Sequence, residues 1–332
     1  MNGPRFQQID ALRGLAAMGV LLYHYTSMFP RLYPEQVGHP FFNLSFGYLG
    51  VQLFFLISGF VIFMTLERTS SAADFVVSRF SRLYPTYWCA VALSVAGVAL
   101  SGPPTLQLPW HEVLANLTMV PRLFHARNVD GSYWTLFVEL VFYAWALLAH
   151  QLGGLGRVRG LLLCALVLRL LEGTHLLPMP GFVSTLLILK FIPWFACGIA
   201  VFHLVRHGPR AADLALVLGA MLVVAVCDGG VLSLAVPVVS GLLYAAARSR
   251  LPGLSAAPLL WLGRISYPLY LLHQALGLGL LMQLHAAGVG ANASVALVIM
   301  GMLLAASALH RWVEQPAMVA IRRVWRQRQV NG

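Results

Sequence analysis

Ten apolar runs dominate the chain, near 11–29, 48–66, 84–101, 132–150, 160–174, 182–205, 214–228, 231–248, 259–285 and 295–314. Most approach the roughly 20 residues that a helix needs to cross a hydrocarbon core. The fifth and seventh are short, and the ninth is long. Each therefore reads as a membrane-spanning helix. The largest connection, 102–131, sets four prolines around an amphipathic stretch from Trp110 to Met119. A connection of that length is expected to fold over a membrane face.

Composition strengthens this reading. Of 332 residues, 59% are hydrophobic and 10% charged, with a mean hydropathy of +0.77. A soluble fold of this length could not hide so much apolar surface. The expected fold class is an all-α polytopic membrane protein with about ten transmembrane helices, forming one integral-membrane domain over residues 1–332. A cleaved signal peptide is not expected, because Arg13 and His24 interrupt the first run.

Charge then supplies an orientation. Lys and Arg total 22 against 11 acidic residues, giving a net +11, and only Lys190 is not arginine. The arginines fall between apolar runs, as topology signals do. They do not cluster with polar and aromatic neighbours as a nucleic-acid face requires, so no nucleic-acid partner is expected. With the N-terminus inside, sixteen arginines fall at inner ends and only Arg31, Arg122 and Arg127 in outer connections. Both termini are then cytoplasmic, residues 317–332 form a basic cytoplasmic tail, and 102–131 is an outer loop. Cys89, Cys164, Cys197 and Cys227 lie in apolar stretches without a CxxC spacing, which argues against a disulfide frame or a metal site.

Ionisable groups within spans are functional candidates by default, because each costs about 2.5–3.5 kcal/mol at a bilayer centre. At 1.5 Å per residue, His24 lies about 20 Å above the inner boundary and His273 about 21 Å. Glu139, on an inward-running span, reaches the same level, and Lys190 comes out at about 18 Å. Four groups on four helices thus share one layer. Nearer the cytoplasm, Arg13 opens the first span, and Arg79 and Arg82 precede the third. Arginines at i and i+3 share a helix face, and their forks suit phosphate.

Plainer readings exist for each. Arg79 and Arg82 could be topology anchors, and His24 could simply bond a neighbouring helix. Glu139 and Lys190 could form an ion pair, and Ser58 could serve helix packing. The segment Tyr267-Pro268-Leu269-Tyr270 could be a proline-broken helix with interfacial rings.

These residues resemble the acyltransferase-3 family of membrane-bound acyltransferases. Arg13 followed after ten residues by His24 is similar to its Arg-x10-His signature. Leu53-Phe54-Phe55-Leu56-Ile57-Ser58-Gly59-Phe60 resembles its second-helix motif. Arg79-Phe80-Ser81-Arg82, followed by Pro85, resembles its Arg-x-x-Arg element. Trp134-Thr135-Leu136-Phe137-Val138-Glu139 resembles its Trp-Ser/Thr-Leu-x-x-Glu segment. Ile265 to His273 resembles the ninth-helix block, and Glu314-Gln315-Pro316 the closing Glu-x-Pro.

The resemblance implies an acyl-CoA donor, usually acetyl-CoA, and no metal. It implies a sugar hydroxyl of a cell-envelope or exported glycan, or of a lipid-linked saccharide, as acceptor. The place would be the outer side of a bacterial inner membrane, among membrane lipid. A fused hydrolase-like extracytoplasmic domain, present in some members, is not expected, which leaves direct transfer or a separate extracytoplasmic transferase. His24 would be the general base and Glu139 its partner or that of the acceptor. Arg13, Arg79 and Arg82 would hold the CoA phosphates. Ser58, Trp134, Lys190, Tyr270 and His273 complete the expected site. The competing class is a proton-coupled transporter, since midplane His, Glu and Lys also build proton relays.

Overall fold

Lipid offers no partner to a backbone N–H or C=O, so an apolar run can cross only if it bonds internally. The computed structural model describes residues 6–69, 71–101 and 103–331. Among them the regular structure is helical, with no strand. Arg5, counted among the inner cations, and Gly102, at the start of the outer loop, lie outside the described residues. The main helices are α1 (Gln7–Tyr23), α2 (Leu49–Leu66), α3 (Ala72–Ser101), α4 (Trp110–Asn116), α5 (Trp134–Gln151), α6 (Val158–Gly173) and α7 (Gly181–Leu186). They continue with α8 (Ile192–His207), α9 (Ala211–Cys227), α10 (Ala235–Ala247), α11 (Ala257–Leu272), α12 (Ala275–Ala286), α13 (Ala291–Leu309) and α14 (Gln315–Asn331). Among the described residues, six helical stretches are long and apolar enough to cross a membrane, or seven if α11 and α12 count as one bent span. This is an all-α, multi-pass membrane protein.

Several boundaries differ from those the apolar runs suggest. Helix α3 begins at Ala72 and runs 30 residues, about 45 Å. Arg79 and Arg82 therefore lie on a helix rather than in a connection before one. The sixth run is not continuous. It stops at Leu186, passes Ile188 at φ +48°, and restarts through a short turn at Leu189–Phe191. Lys190 sits exposed in that turn, so a depth counted along one unbroken helix does not apply to it. Pro268 does not break the ninth run either. It lies inside α11, and the break comes at His273–Gln274, where α12 departs at 74°. The basic tail is helical, continuing from α13 through the turn His310–Glu314 into α14. The amphipathic stretch forms α4, seven residues long, shorter than the expected Trp110–Met119.

The chain forms two compact units. The first comprises Met1–Arg13, Val51–Phe75 and Val138–Leu260. Its centre is α8, buried from Ile192 to His203. Glycines set its contact with α2: a Cβ on Gly198 would lie 1.9 Å from the Leu56 carbonyl oxygen, and one on Gly59 would lie 2.4 Å from that of Phe195. Such close approach is how membrane helices gain van der Waals contact where no hydrophobic force separates lipid from protein. Several ionisable groups of this unit pair with one another. Arg159 binds Asp213 at 2.6 Å, and Asp213 also faces His203 at 3.2 Å. Arg169 pairs with Glu172 and with Asp228.

The second unit comprises Gly14–Gly50, Val76–Phe137 and Trp261–Gly332. Its connection between α3 and α5 is organised by Asn116, which is fully buried. The Asn116 amide donates to the carbonyls of Glu112 and Arg127 and accepts from the Val129 N–H. Tyr84, Tyr87 and Trp88 of α3 donate to the carbonyls of Thr118, Asn116 and Leu117. The hydrogen bond from Arg127 holds the Glu112 carboxyl below its usual range.

Replacing Gly198 with alanine should force α2 and α8 apart. The expected cost is about 1–3 kcal/mol, read as a lower thermal midpoint in detergent. Gly160→Ala, where a Cβ meets nothing within 4 Å, should be neutral or slightly stabilising.

Candidate functional site

Two short π-helical turns mark the second unit, and each begins at a histidine: His24–Met28 and His310–Glu314. Each is followed by a proline six residues after that histidine, at Pro30 and Pro316. A proline cannot donate to the carbonyl four residues back and clashes with it. Widening the preceding turn accommodates both effects, and π-bulges are frequent at functional sites. In the first turn the Thr26 hydroxyl also bonds the Leu22 carbonyl at 2.7 Å. His24, Tyr25, Thr26 and Ser27 are all buried there.

His24 meets the break between α11 and α12. Its Nδ1 lies 2.8 Å from Nε2 of His273, itself fully buried. Nδ1 of His273 lies 2.7 Å from the Tyr270 carbonyl. A carbonyl only accepts, so Nδ1 of His273 carries the hydrogen, and Nε2 of the neutral ring accepts. Nδ1 of His24 must then donate, which leaves Nε2 of His24 with its lone pair. Chemically this is a base held in one tautomer by a second imidazole.

Side chains satisfy the broken backbone. Tyr25 Oη donates to the His273 carbonyl at 2.7 Å, and Tyr133 Oη to that of Leu271 at 3.1 Å. Ser132 Oγ lies 3.4 Å from the Tyr270 carbonyl. The Ala275 N–H, which opens α12, donates to Asp130 Oδ2 at 2.7 Å. Asp130 Oδ1 accepts from both the N–H and the hydroxyl of Ser132. Burial pushes the Asp130 carboxyl up to about 6, which still leaves it an anionic acceptor at neutral pH. The Tyr270 hydroxyl is 3.0 Å from Thr135 Oγ1. Only glycine at 277 leaves room for Tyr25, since a Cβ there would lie 2.0 Å from its hydroxyl.

Asp130 and Tyr25 were not singled out by sequence. Asp130 stands two residues before the expected span, and its only signal is an acidic cap ahead of a helical start. Tyr25 follows His24 and reads as one more apolar position.

Glu139, in the first unit, is bonded to hydroxyls rather than to Lys190. Ser58 Oγ donates to its Oε1 at 2.7 Å, and the Tyr143 hydroxyl donates to the same oxygen. Ser58 is therefore a carboxylate partner, and Gly59 beside it makes the helix contact. Arg13 belongs to the first unit, and Arg79 and Arg82 to the second. Trp134 opens α5 and is half-buried. His310 bonds Glu314 at 2.7 Å and Gln315 at 3.0 Å, so both its nitrogens are occupied.

Comparison with known proteins follows the same lines. The acyltransferase-3 profile, which describes an acyltransferase domain, matches residues 6–312. Acyltransferase MdmB of Streptomyces mycarofaciens is 26% identical over 364 residues, covering 95% of this chain and 92% of its own. Exopolysaccharide production protein ExoZ of Rhizobium meliloti is 37% identical over 117 residues, 33% of this chain and 35% of that protein. Nodulation protein 10 of Rhizobium leguminosarum bv. viciae is 31% identical over 152 residues, 40% of this chain and 41% of its own. The chain thus spans well under half the length of the last two. No solved structure matches.

Asp130→Ala should leave the Ala275 and Ser132 N–H groups unbonded, at about 1–3 kcal/mol each. Faster amide exchange at Ala275 and a lower thermal midpoint are expected. Tyr25→Phe removes one neutral bond, about 1 kcal/mol, and should leave exchange at Ala275 slow.

Proposed function

The chain belongs to the acyltransferase-3 family, and from that premise we propose that it moves an acyl group, acetyl in the first instance, from acyl-CoA to a sugar hydroxyl. Its acceptor is a cell-envelope or exported glycan, or a lipid-linked saccharide, at the outer side of a bacterial inner membrane. The name of the exopolysaccharide production relative supports a glycan acceptor. The strong excess of arginine at inner ends supports a cytoplasmic donor and cytoplasmic termini.

The observation that carries the reading is the chain of bonds from Tyr270 through His273 to His24. A general base must be unprotonated at the atom that faces its substrate. The relay leaves Nε2 of His24 in that state. The acceptor hydroxyl gives its proton to Nε2 as its oxygen attacks the thioester carbonyl carbon. The carbon–sulfur bond then breaks, and the CoA thiolate takes the proton back from His24. Arg79 and Arg82 hold the phosphates of the donor, with Arg13 as a further cation. Glu139 has both hydroxyl partners on Oε1, which leaves Oε2 to accept from a sugar hydroxyl. Ser58 keeps that carboxylate in place, while Tyr270 supports His273 through its carbonyl and Trp134 opens α5. Lys190, exposed in the turn before α8, is given no part in the chemistry.

The test is transfer of radiolabelled acetyl from acetyl-CoA to surface glycan by the reconstituted protein, with mass spectrometry of the product. His24→Ala should lower the rate by about 10²–10⁴-fold while CoA still binds. His273→Ala should lower the turnover rate less, leave the KM for acetyl-CoA unchanged, and alter the pH profile, because His24 can then take either tautomer. Wild-type transfer by His24→Ala would overturn the mechanism. Solute flux without labelled glycan would point instead to a transporter.

A further inference from the structure

The C-terminal helix α14 carries Arg322, Arg323, Arg326 and Arg328, which charge alone would assign to membrane anchoring. Arg322 does something more specific. Its Nε lies 3.2 Å from Ser81 Oγ, and its Nη2 lies 3.4 Å from the Ser78 carbonyl and 3.5 Å from Ser78 Oγ. Ser78 and Ser81 alternate with the two arginines of the Ser78-Arg79-Phe80-Ser81-Arg82 segment of α3. Nη2 of Arg79 lies 3.4 Å from that same Ser78 hydroxyl. Two guanidiniums from positions 243 residues apart in sequence thus meet at one serine oxygen.

Charged groups near Arg322 include Arg79, Arg82 and Arg326, all cationic. Arg326 stands one turn further along the same face of α14. Gathering like charges raises the free energy of the folded chain, and a bound polyanion relieves it. Topology requires only that arginines stay on one side, not that two helices converge their forks. A phosphatidylglycerol headgroup carries one phosphate, whereas CoA carries a pyrophosphate and a separate 3′-phosphate. Four forks match the larger charge.

We propose that Arg322 and Arg326 are donor-binding residues, completing with Arg79 and Arg82 a four-arginine site for the phosphates of acyl-CoA. This rests on the reading of acyl-CoA as donor. The hydrogen bonds to Ser78 and Ser81 fix the fork of Arg322. Arg326, exposed, closes on the ligand from solvent.

The experiment measures CoA and 3′-dephospho-CoA binding to the purified full chain by calorimetry, in detergent and in nanodiscs with and without anionic lipid. Arg322→Gln and Arg326→Gln should each weaken CoA binding about tenfold or more, as loss of a charge-assisted contact does. Arg322→Lys should recover part of it, and the salt dependence of binding should become shallower in each glutamine variant. Arg326→Gln removes an exposed side chain, so its result does not depend on folding. Wild-type CoA affinity in both glutamine variants, with Arg79→Ala still weakened, would overturn the proposal and leave the donor reading standing. Loss of anionic-lipid dependence alone, with CoA affinity intact, would assign the cluster to lipid phosphate and equally overturn it. No CoA binding by the wild-type chain would remove both readings.

Discussion

A helix that breaks inside a membrane releases backbone groups that lipid cannot bond, and the second unit is arranged around one such break. Three residues take up polar groups at the break between α11 and α12: Tyr25, Asp130 and Tyr133. They come from the end of α1 and from the entry to α5. Satisfying the break therefore fixes both segments against it. The position of His24 follows, because it precedes Tyr25 in the same π turn. Irregular backbone at membrane depth is tolerated only where protein or a water-filled cavity receives it. Here it also presents a histidine that a regular helix would have carried past its partner.

The prolines make this arrangement local. Pro30 and Pro316 each sit six residues after a histidine and just beyond a π turn. Pro268, by contrast, lies within α11 without unwinding it. The difference lies in what can receive the displaced backbone groups. Near 273 hydroxyls and a carboxylate stand ready, and there the helix gives way. A proline alone does not decide where a membrane helix breaks; the available partners do.

How much of this was legible in the sequence depends on the interaction. Span-forming runs were legible because hydrophobicity acts residue by residue. Depth counting placed His24 and His273 at one level, and the structure sets them 2.8 Å apart. The same counting misplaced Lys190, because it assumes a continuous helix and Ile188 is left-handed. Asp130 was illegible, since its role is to bond an N–H that is free only after a break 145 residues away. Arg322 was legible as charge but not as geometry: its neighbours at Ser78 and Ser81 are about 240 residues distant in sequence. Periodicity and composition report what a residue does for its own helix. They are silent on pairings between helices.

The placement of charge and neutrality in the second unit follows from the cost of desolvation. Phosphates cannot enter the apolar layer cheaply, so on the proposed reading a donor that carries them is gripped at the rim, by the arginines Arg79 and Arg322 that converge on Ser78. Only a neutral arm and thioester need go deeper. The group that meets them should not itself require a buried counter-ion. The His24–His273–Tyr270 chain meets that requirement, because it ends on a backbone carbonyl rather than on a carboxylate. The carboxylate that is present, Asp130, is spent on three donors at the break. It holds the backbone that aims His273, and so sets the tautomer of His24 without adding charge beside it.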